Sequence, residues 1–241
     1  MVPEVLPYGD HPDQVVELTA APGPVTGVAV LVHGGYWRER FTRDLMQPLG
    51  DDLVGRGWVV ANVEYRRVGT GGGWPQTLDD ARAGVALVSR LREERGWTGP
   101  AVSVGHSVGG QLVLLTADLV DAVVALAPVT DLARTRAEGL GEDAVREFIP
   151  EPPEERPEPY AEGSPTWQLP VGRPVLVVHG DADTRVPVGH SADYVERARE
   201  AGDQIETRVL SGVDHLILID PAEPHWAEIM DWMASRSILR K

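Results

Sequence analysis

Three residues in this 241-residue chain have the types and spacing to break a carbonyl bond, and each follows an apolar run. A serine hydroxyl is a weak nucleophile until a base takes its proton, and the base needs a carboxylate to orient it. Ser107 lies in Gly105-His106-Ser107-Val108-Gly109, directly after Ala101-Val102-Ser103-Val104. Strand, sharp turn and following helix form the G-x-S-x-G elbow, whose small residues let the chain turn tightly and hold the serine strained above a sheet. A bare match is more often an ordinary Ser-Gly turn, but this one falls between a buried-type strand and a helix. Downstream, the segment from His179 to Pro187 offers Asp181 and Asp183, and Ser211-Gly212-Val213-Asp214-His215 offers a base. The order serine, acid, histidine is the one the elbow requires.

Asp183 is favoured over Asp181, because a carboxylate so close to the end of the preceding strand commonly caps its own turn. Of seven histidines, only His215 is both downstream of the acid and on a loop that follows a strand. His33, His106 and His179 stand at strand ends or turns, His190 and His225 near helix starts, and His11 before the sheet. A tetrahedral intermediate also needs hydrogen-bond donors for its oxyanion. Val108, next to the nucleophile, supplies one backbone N–H. His33-Gly34-Gly35-Tyr36 follows an earlier strand and supplies the N–H groups of Gly35 and Tyr36. Glycine suits that place because the backbone itself must approach the reacting carbonyl. Trp37 and Trp74 flank the expected mouth, where they would either wall a ring-bearing substrate or pack into the surface. Glu64 and Arg66 are expected to form a local ion pair that supports their loop. No histidine pair or zinc motif is present, so neither a metal nor a cofactor is expected.

These groups need a scaffold that brings strand ends together. Apolar runs at Gly27–Val32, Trp58–Val63, Ala101–Val104, Ala122–Ala127 and Val175–Val178 read as strands covered on both faces. Gln14–Leu18 and Glu206–Leu210 are two further strands. Helical spacing covers Thr42–Leu53, Leu78–Arg95, the stretch from about Gly109, Glu142–Phe148, Ser191–Ala201 and Ala222–Ala234. Ala21-Pro22-Gly23-Pro24 breaks the chain, and Val68–Pro75 is a Gly-rich connection without the ending of a phosphate loop. The alternation predicts a mostly parallel sheet with helices on both faces and working groups beyond the carboxyl ends of the strands. One domain over residues 1–241 is expected, with a lid or cap excursion at about 134–170, where prolines and acids crowd together.

Composition narrows the partners. A formal net charge of −15 argues against nucleic acid or an anionic membrane and leaves a small-molecule substrate. There is no cysteine, which excludes disulfides and thiol chemistry and fits a reducing cytoplasm. The first ten residues lack a basic segment followed by an apolar run, so no signal peptide is expected, and no stretch has the length to span a bilayer. Monomer and homodimer both remain open.

Over nearly its whole length the chain resembles the α/β-hydrolase superfamily. Within it, His33-Gly34-Gly35-Tyr36-Trp37, Glu64-Tyr65-Arg66, the elbow at Ser107, the His179–Pro187 loop and the lead-in Tyr8-Gly9-Asp10-His11-Pro12 are similar to the branch of kynurenine formamidases and related esterases. The acid loop and Ser164-Pro165 also resemble prolyl-oligopeptidase-like domains, although the chain has no room for a propeller. The resemblance implies an α/β-hydrolase fold, a Ser107–Asp183–His215 triad, and cleavage of a small ester or formamide, N-formylkynurenine among them. A broad carboxylesterase shares every one of these residues. A non-catalytic binding protein that kept the fold is the alternative from another class.

Overall fold

A computed structural model describes residues 2–20 and 22–236. Ala21, the first residue of the predicted chain break, and Lys241, the single lysine, lie outside the described residues.

Eight strands form one sheet in the order β1-β2-β4-β3-β5-β6-β7-β8. They are β1 (Glu4–Pro7), β2 (Val15–Ala20), β3 (Gly27–Val32), β4 (Trp58–Val63), β5 (Ala101–His106), β6 (Ala122–Leu126), β7 (Val175–Gly180) and β8 (Ile205–Leu210). β1 and β2 pair antiparallel at one edge, and every pairing from β4 onward is parallel. The apolar runs of β3 to β7 are buried along their length because helices cover both faces. Val28, Val30 and Val32 point into one layer with Val85 and Val88 of α2 (Gln76–Glu94) and Leu112 of α3 (Val108–Leu115). Ala29 and Leu31 point into the other, with Leu49 and Leu53 of α1 (Gln47–Gly55) and Trp226 and Met233 of α8 (Pro224–Ser235). Each buried Val, Leu or Met of these layers contributes roughly 1.5–3 kcal/mol through removal from water.

A third apolar cluster lies over the carboxyl ends of the strands. It joins Tyr36, Trp37 and Val108 to Leu132 of α4 (Leu132–Ala137), Val145 and Phe148 of α5 (Leu140–Phe148), and Tyr160 of α6 (Glu158–Gly163). The expected 134–170 excursion thus falls on three short helices, α4 to α6, packed over the carboxyl ends of the strands, with the acidic Pro-rich turn at 151–156 facing solvent. α7 (Gly189–Glu200) closes the β7–β8 connection.

Several elements differ from expectation. β1 has no apolar alternation and is largely exposed, so it carries no sequence signal. The helix expected over Thr42–Leu53 opens as a 3-10 turn at Arg43–Met46 before α1 begins. Gly141, Glu142 and Asp143 hold left-handed φ values of 64°, 59° and 61°, so regular helix starts only after Asp143. The Val68–Pro75 loop is tied at both ends: Val68 N–H donates to the Trp37 carbonyl, Gly72 N–H to the Arg67 carbonyl, and Gly73 N–H to Thr77 Oγ1.

Candidate active site

Ser107 sits at the turn between β5 and α3 with φ 57° and ψ −119°. A non-glycine residue in that region is strained and persists only when its surroundings over-determine it. They do: Ser107 N–H donates to the Leu126 carbonyl at 2.8 Å, and its carbonyl accepts from Val129 N–H at 3.2 Å. The turn also needs bare backbone beside it. A Cβ on Gly109 would lie 2.0 Å from the Val32 carbonyl oxygen, and one on Gly105 would lie 2.2 Å from that of Gly109.

Asp183 and His215 sit on neighbouring loops, after β7 and β8 respectively. His215 Nδ1 donates to Asp183 Oδ2 at 2.6 Å, which leaves Nε2 as the acceptor. Asp183 Oδ1 accepts from the N–H groups of Arg185 and Val186, and Oδ2 faces His179 Nε2 at 3.2 Å. Burial pushes this carboxyl up, but the bonds from His179 and His215, the charge of His215 and the Val186 N–H hold it far below the usual carboxylate range. Asp181 is exposed and caps a neighbouring loop and not its own turn: its Oδ1 accepts from Gly212 N–H, on the loop after β8.

The elbow and the base loop are joined by His106. Its Nε2 donates to the His215 carbonyl at 2.9 Å, and the two rings lie 4.4 Å apart. Burial, and then the charge of His215, lower its pKa well below the usual imidazole value, so the ring is neutral. Ser107, Asp183 and His215 are all buried, each less than a tenth exposed.

Gly35, Tyr36 and Trp37 follow with φ 118°, 54° and 57°, three consecutive left-handed residues. Among the described residues the N–H groups of Gly35, Tyr36 and Val108 meet no protein acceptor. The two loops touch: a Cβ on Gly34 would lie 2.9 Å from Ser107 Cβ. The left-handed turn also swings Trp37 inward, which corrects the expectation of an open aromatic wall. Trp37 is 1% exposed, stacks on Phe148 with centroids 4.5 Å apart, and donates Nε1–H to Gln111 Oε1. Trp74 is half-buried, edge-on to Phe148. Gln111 also donates to the Gly163 carbonyl at 2.7 Å, so it ties the loop at Trp37 to the α4–α6 cover.

The Glu64–Arg66 pair does not form. Arg66 turns to Asp80, with Nε and Nη2 at 2.7 and 2.8 Å from its two oxygens. Glu64 is buried against His33 and Arg67 instead. His33 and Glu64 immediately follow Val32 and Val63, which are paired in register, so strand order decides the partner and a single sequence does not show it.

A cleft of about 320 Å³ opens beside Tyr36 and is lined by Arg38, Arg40, Glu142, Thr184 and Arg185. A larger one of about 650 Å³ lies at the opposite edge, where the strands begin, remote from Ser107. Among the described residues no cluster of His, Asp and Glu is arranged to hold a metal ion, and no helix is long and apolar enough to cross a membrane.

The profile of the prolyl oligopeptidase family matches residues 76–237, a stretch that includes Ser107, Asp183 and His215. The chain belongs to that family. A second profile, BD-FAE, matches residues 18–120 and so includes the His33–Trp37 loop. The chain is 25% identical over 210 residues to the probable carboxylic ester hydrolase LipM of Mycobacterium tuberculosis, covering 75% of this chain and 47% of that protein. It therefore spans about half the length of that curated relative. Among solved structures it is similar to a bifunctional GH43-CE of Bacteroides eggerthii, with TM-score 0.83, 20% identity, and coverage of 98% of this chain and 38% of the other. It is also similar to a truncated carbohydrate esterase from gut microbiota, with TM-score 0.84, 18% identity and coverage of 97% and 95%. These likenesses carry the α/β-hydrolase fold, in a member of a hydrolase family.

Proposed function

We propose that this chain is a serine hydrolase of small carboxylic esters that works through an acyl-enzyme. The observation that carries the reading is the joined unit at the strand ends: a serine at φ 57°, bonded through its neighbour His106 to the loop whose histidine donates to Asp183 at 2.6 Å. His215 Nε2 takes the Ser107 proton as Oγ attacks the ester carbonyl. Asp183 fixes the tautomer and balances the imidazolium that forms. The oxyanion is received by the unpaired N–H groups of Gly35, Tyr36 and Val108, and the leaving alkoxide takes the proton back from His215. Water then repeats the sequence on the acyl-serine and releases the acid. The three helices over 134–170 act as the cover that shapes the pocket.

The ester is preferred to the formamide because LipM is named a probable carboxylic ester hydrolase and a structural neighbour a carbohydrate esterase, and because Trp37, part of the motif that suggested a formamidase, is spent on packing. N-formylkynurenine remains the finer alternative, with formate and kynurenine as products. Hydrolysis of short p-nitrophenyl esters, N-formylkynurenine and a prolyl p-nitroanilide should be measured side by side. The expectation is ester turnover well above the other two, with Ser107→Ala lowering kcat by about 10⁴-fold or more. Asp183→Asn should cost about 10⁴-fold through the wrong histidine tautomer, and Asp181→Asn should leave turnover intact. A fluorophosphonate that fails to label Ser107 would make the chain a binding protein on a hydrolase fold.

A further inference from the structure

Behind the loop at Gly35 lies a buried ionic cluster that the reaction itself does not use. His33 is fully buried, and both its ring nitrogens face acceptors: Nδ1 lies 2.7 Å from the Gly34 carbonyl oxygen, and Nε2 lies 2.8 Å from Glu64 Oε1. Glu64 is ionised, because it accepts from the N–H groups of Arg43 and Tyr65 and from the Arg67 guanidinium. Burial pushes its carboxyl up; the bond and charge of His33, the Arg43 N–H and the Arg67 charge more than reverse that. Neither acceptor can donate, so His33 must donate from both nitrogens and carries a positive charge. Tyr65 fixes the ring from a third side: it stacks on it at 4.3 Å and donates its hydroxyl to the His33 carbonyl at 2.8 Å. Arg67 is held in turn by Asp13 at 3.0 Å.

The consequence follows from peptide geometry. In a trans peptide the carbonyl and the next N–H point in opposite directions. The Gly34 carbonyl is drawn back to the His33 imidazolium, so the N–H of Gly35 is turned away from that ring. Gly34 itself abuts the nucleophile turn, since a Cβ built on it would lie 2.9 Å from Ser107 Cβ. We infer that Glu64 is a positioning residue for ester hydrolysis: by holding His33 doubly protonated it locks the Gly34–Gly35 peptide with the Gly35 N–H aimed at the developing oxyanion. This rests on the hydrolase reading above. Glu64 touches no reacting atom and acts through His33.

Two experiments separate the inference from that reading. In the wild-type protein, ¹⁵N NMR of the His33 side chain near neutral pH should show both ring nitrogens protonated, whatever the protein hydrolyses. One unprotonated nitrogen overturns the inference. In ester turnover, Glu64→Gln removes the negative charge, leaves His33 a single proton and frees the Gly34 carbonyl. It should lower kcat by about 10²-fold with KM within about twofold, and weaken a boronic acid that forms the tetrahedral anion on Ser107 by a similar factor. Glu64→Asp should recover part of the loss. A Glu64→Gln protein with a lower melting temperature but unchanged kcat and boronate affinity would make Glu64 scaffold only. If Glu64→Gln does not fold, the wild-type NMR result decides by itself. If the wild type hydrolyses no ester, the same spectrum still decides the charge of His33 while the hydrolase reading falls.

Discussion

His106 ties the Ser107 turn to the His215 loop, and its charge state is set by where it sits. The ring is buried, Nε2 is committed to the His215 carbonyl, and Nδ1 has no partner among the described residues. A proton on Nδ1 would place a buried positive charge 4.4 Å from the His215 ring, which in the proposed mechanism becomes imidazolium. The folded pKa lies below the unfolded value, so the unfolded chain binds the proton that the native one refuses. Stability from this site is therefore present above the ordinary histidine pKa and lost as pH falls below it. Urea unfolding of wild type and His106→Gln, which keeps an N–H for the carbonyl, should show the wild type losing about 1.4 kcal/mol per pH unit more than the variant below about pH 6, and no such difference near pH 7.5. His190, also lowered by burial, is common to both proteins and cancels. Equal slopes would mean that His106 takes up its proton in the folded state. In the sequence this residue fills the variable position of G-x-S-x-G and is one of three histidines at strand ends or turns. Its partner lies 109 residues away, and nothing local points to it. An elbow motif and a chain order single out Ser107, Asp183 and His215 before any geometry is known, and of that set the structure shows the Asp183–His215 bond.

Elements were legible wherever burial on both faces writes a continuous apolar run, as in β3 to β7, or where helical spacing is long, as in α2. They were illegible where an edge strand needs no apolar face, as in β1, and where glycine lets the chain turn left-handed, as at the start of α5. The direction of a turn hides in the same way. Sequence places an aromatic residue at Trp37, but only the left-handed backbone sends it into the core rather than into the mouth. α3 and β3 meet in a joint with no room for a side chain. A methyl group on Gly109 would sit 2.0 Å from the Val32 carbonyl and 2.5 Å from that of His33, both backbone atoms that cannot swing aside. Gly109→Ala should therefore destabilise by about 2–3 kcal/mol and lower kcat as well, since the relief route pushes the Gly35 loop away from Ser107. Gly55→Ala is the control: it is exposed in α1, a Cβ there meets nothing within 4 Å, and it should stabilise by about 0.5–1 kcal/mol without changing kcat. Thermal melts and ester kinetics on the two variants test both statements.

The charge of −15 acts over the entire surface, whereas the guanidinium groups of Arg38, Arg40 and Arg185 act only at the cleft beside Tyr36. Arg38 is already occupied by Glu142 and Glu147 at 3.3 and 2.7 Å, so the local positive field comes mainly from Arg40 and Arg185. The two fields have different reach under salt. The Debye length is about 30 Å at ~0.01 M and about 8 Å at ~0.15 M, so added salt erases the distant acids before it erases charges within a few ångströms of a bound ligand. An ester carrying a carboxylate is repelled on approach at low salt and feels the cleft arginines only once it arrives. Its kcat/KM should rise severalfold between those two salt concentrations, while that of a neutral ester of the same size stays flat. A fall for the anionic ester would show the arginines outweighing the long-range field even at low salt. In that case Arg40→Gln and Arg185→Gln should restore the rise, which would place the anionic end of the substrate in the cleft beside Tyr36.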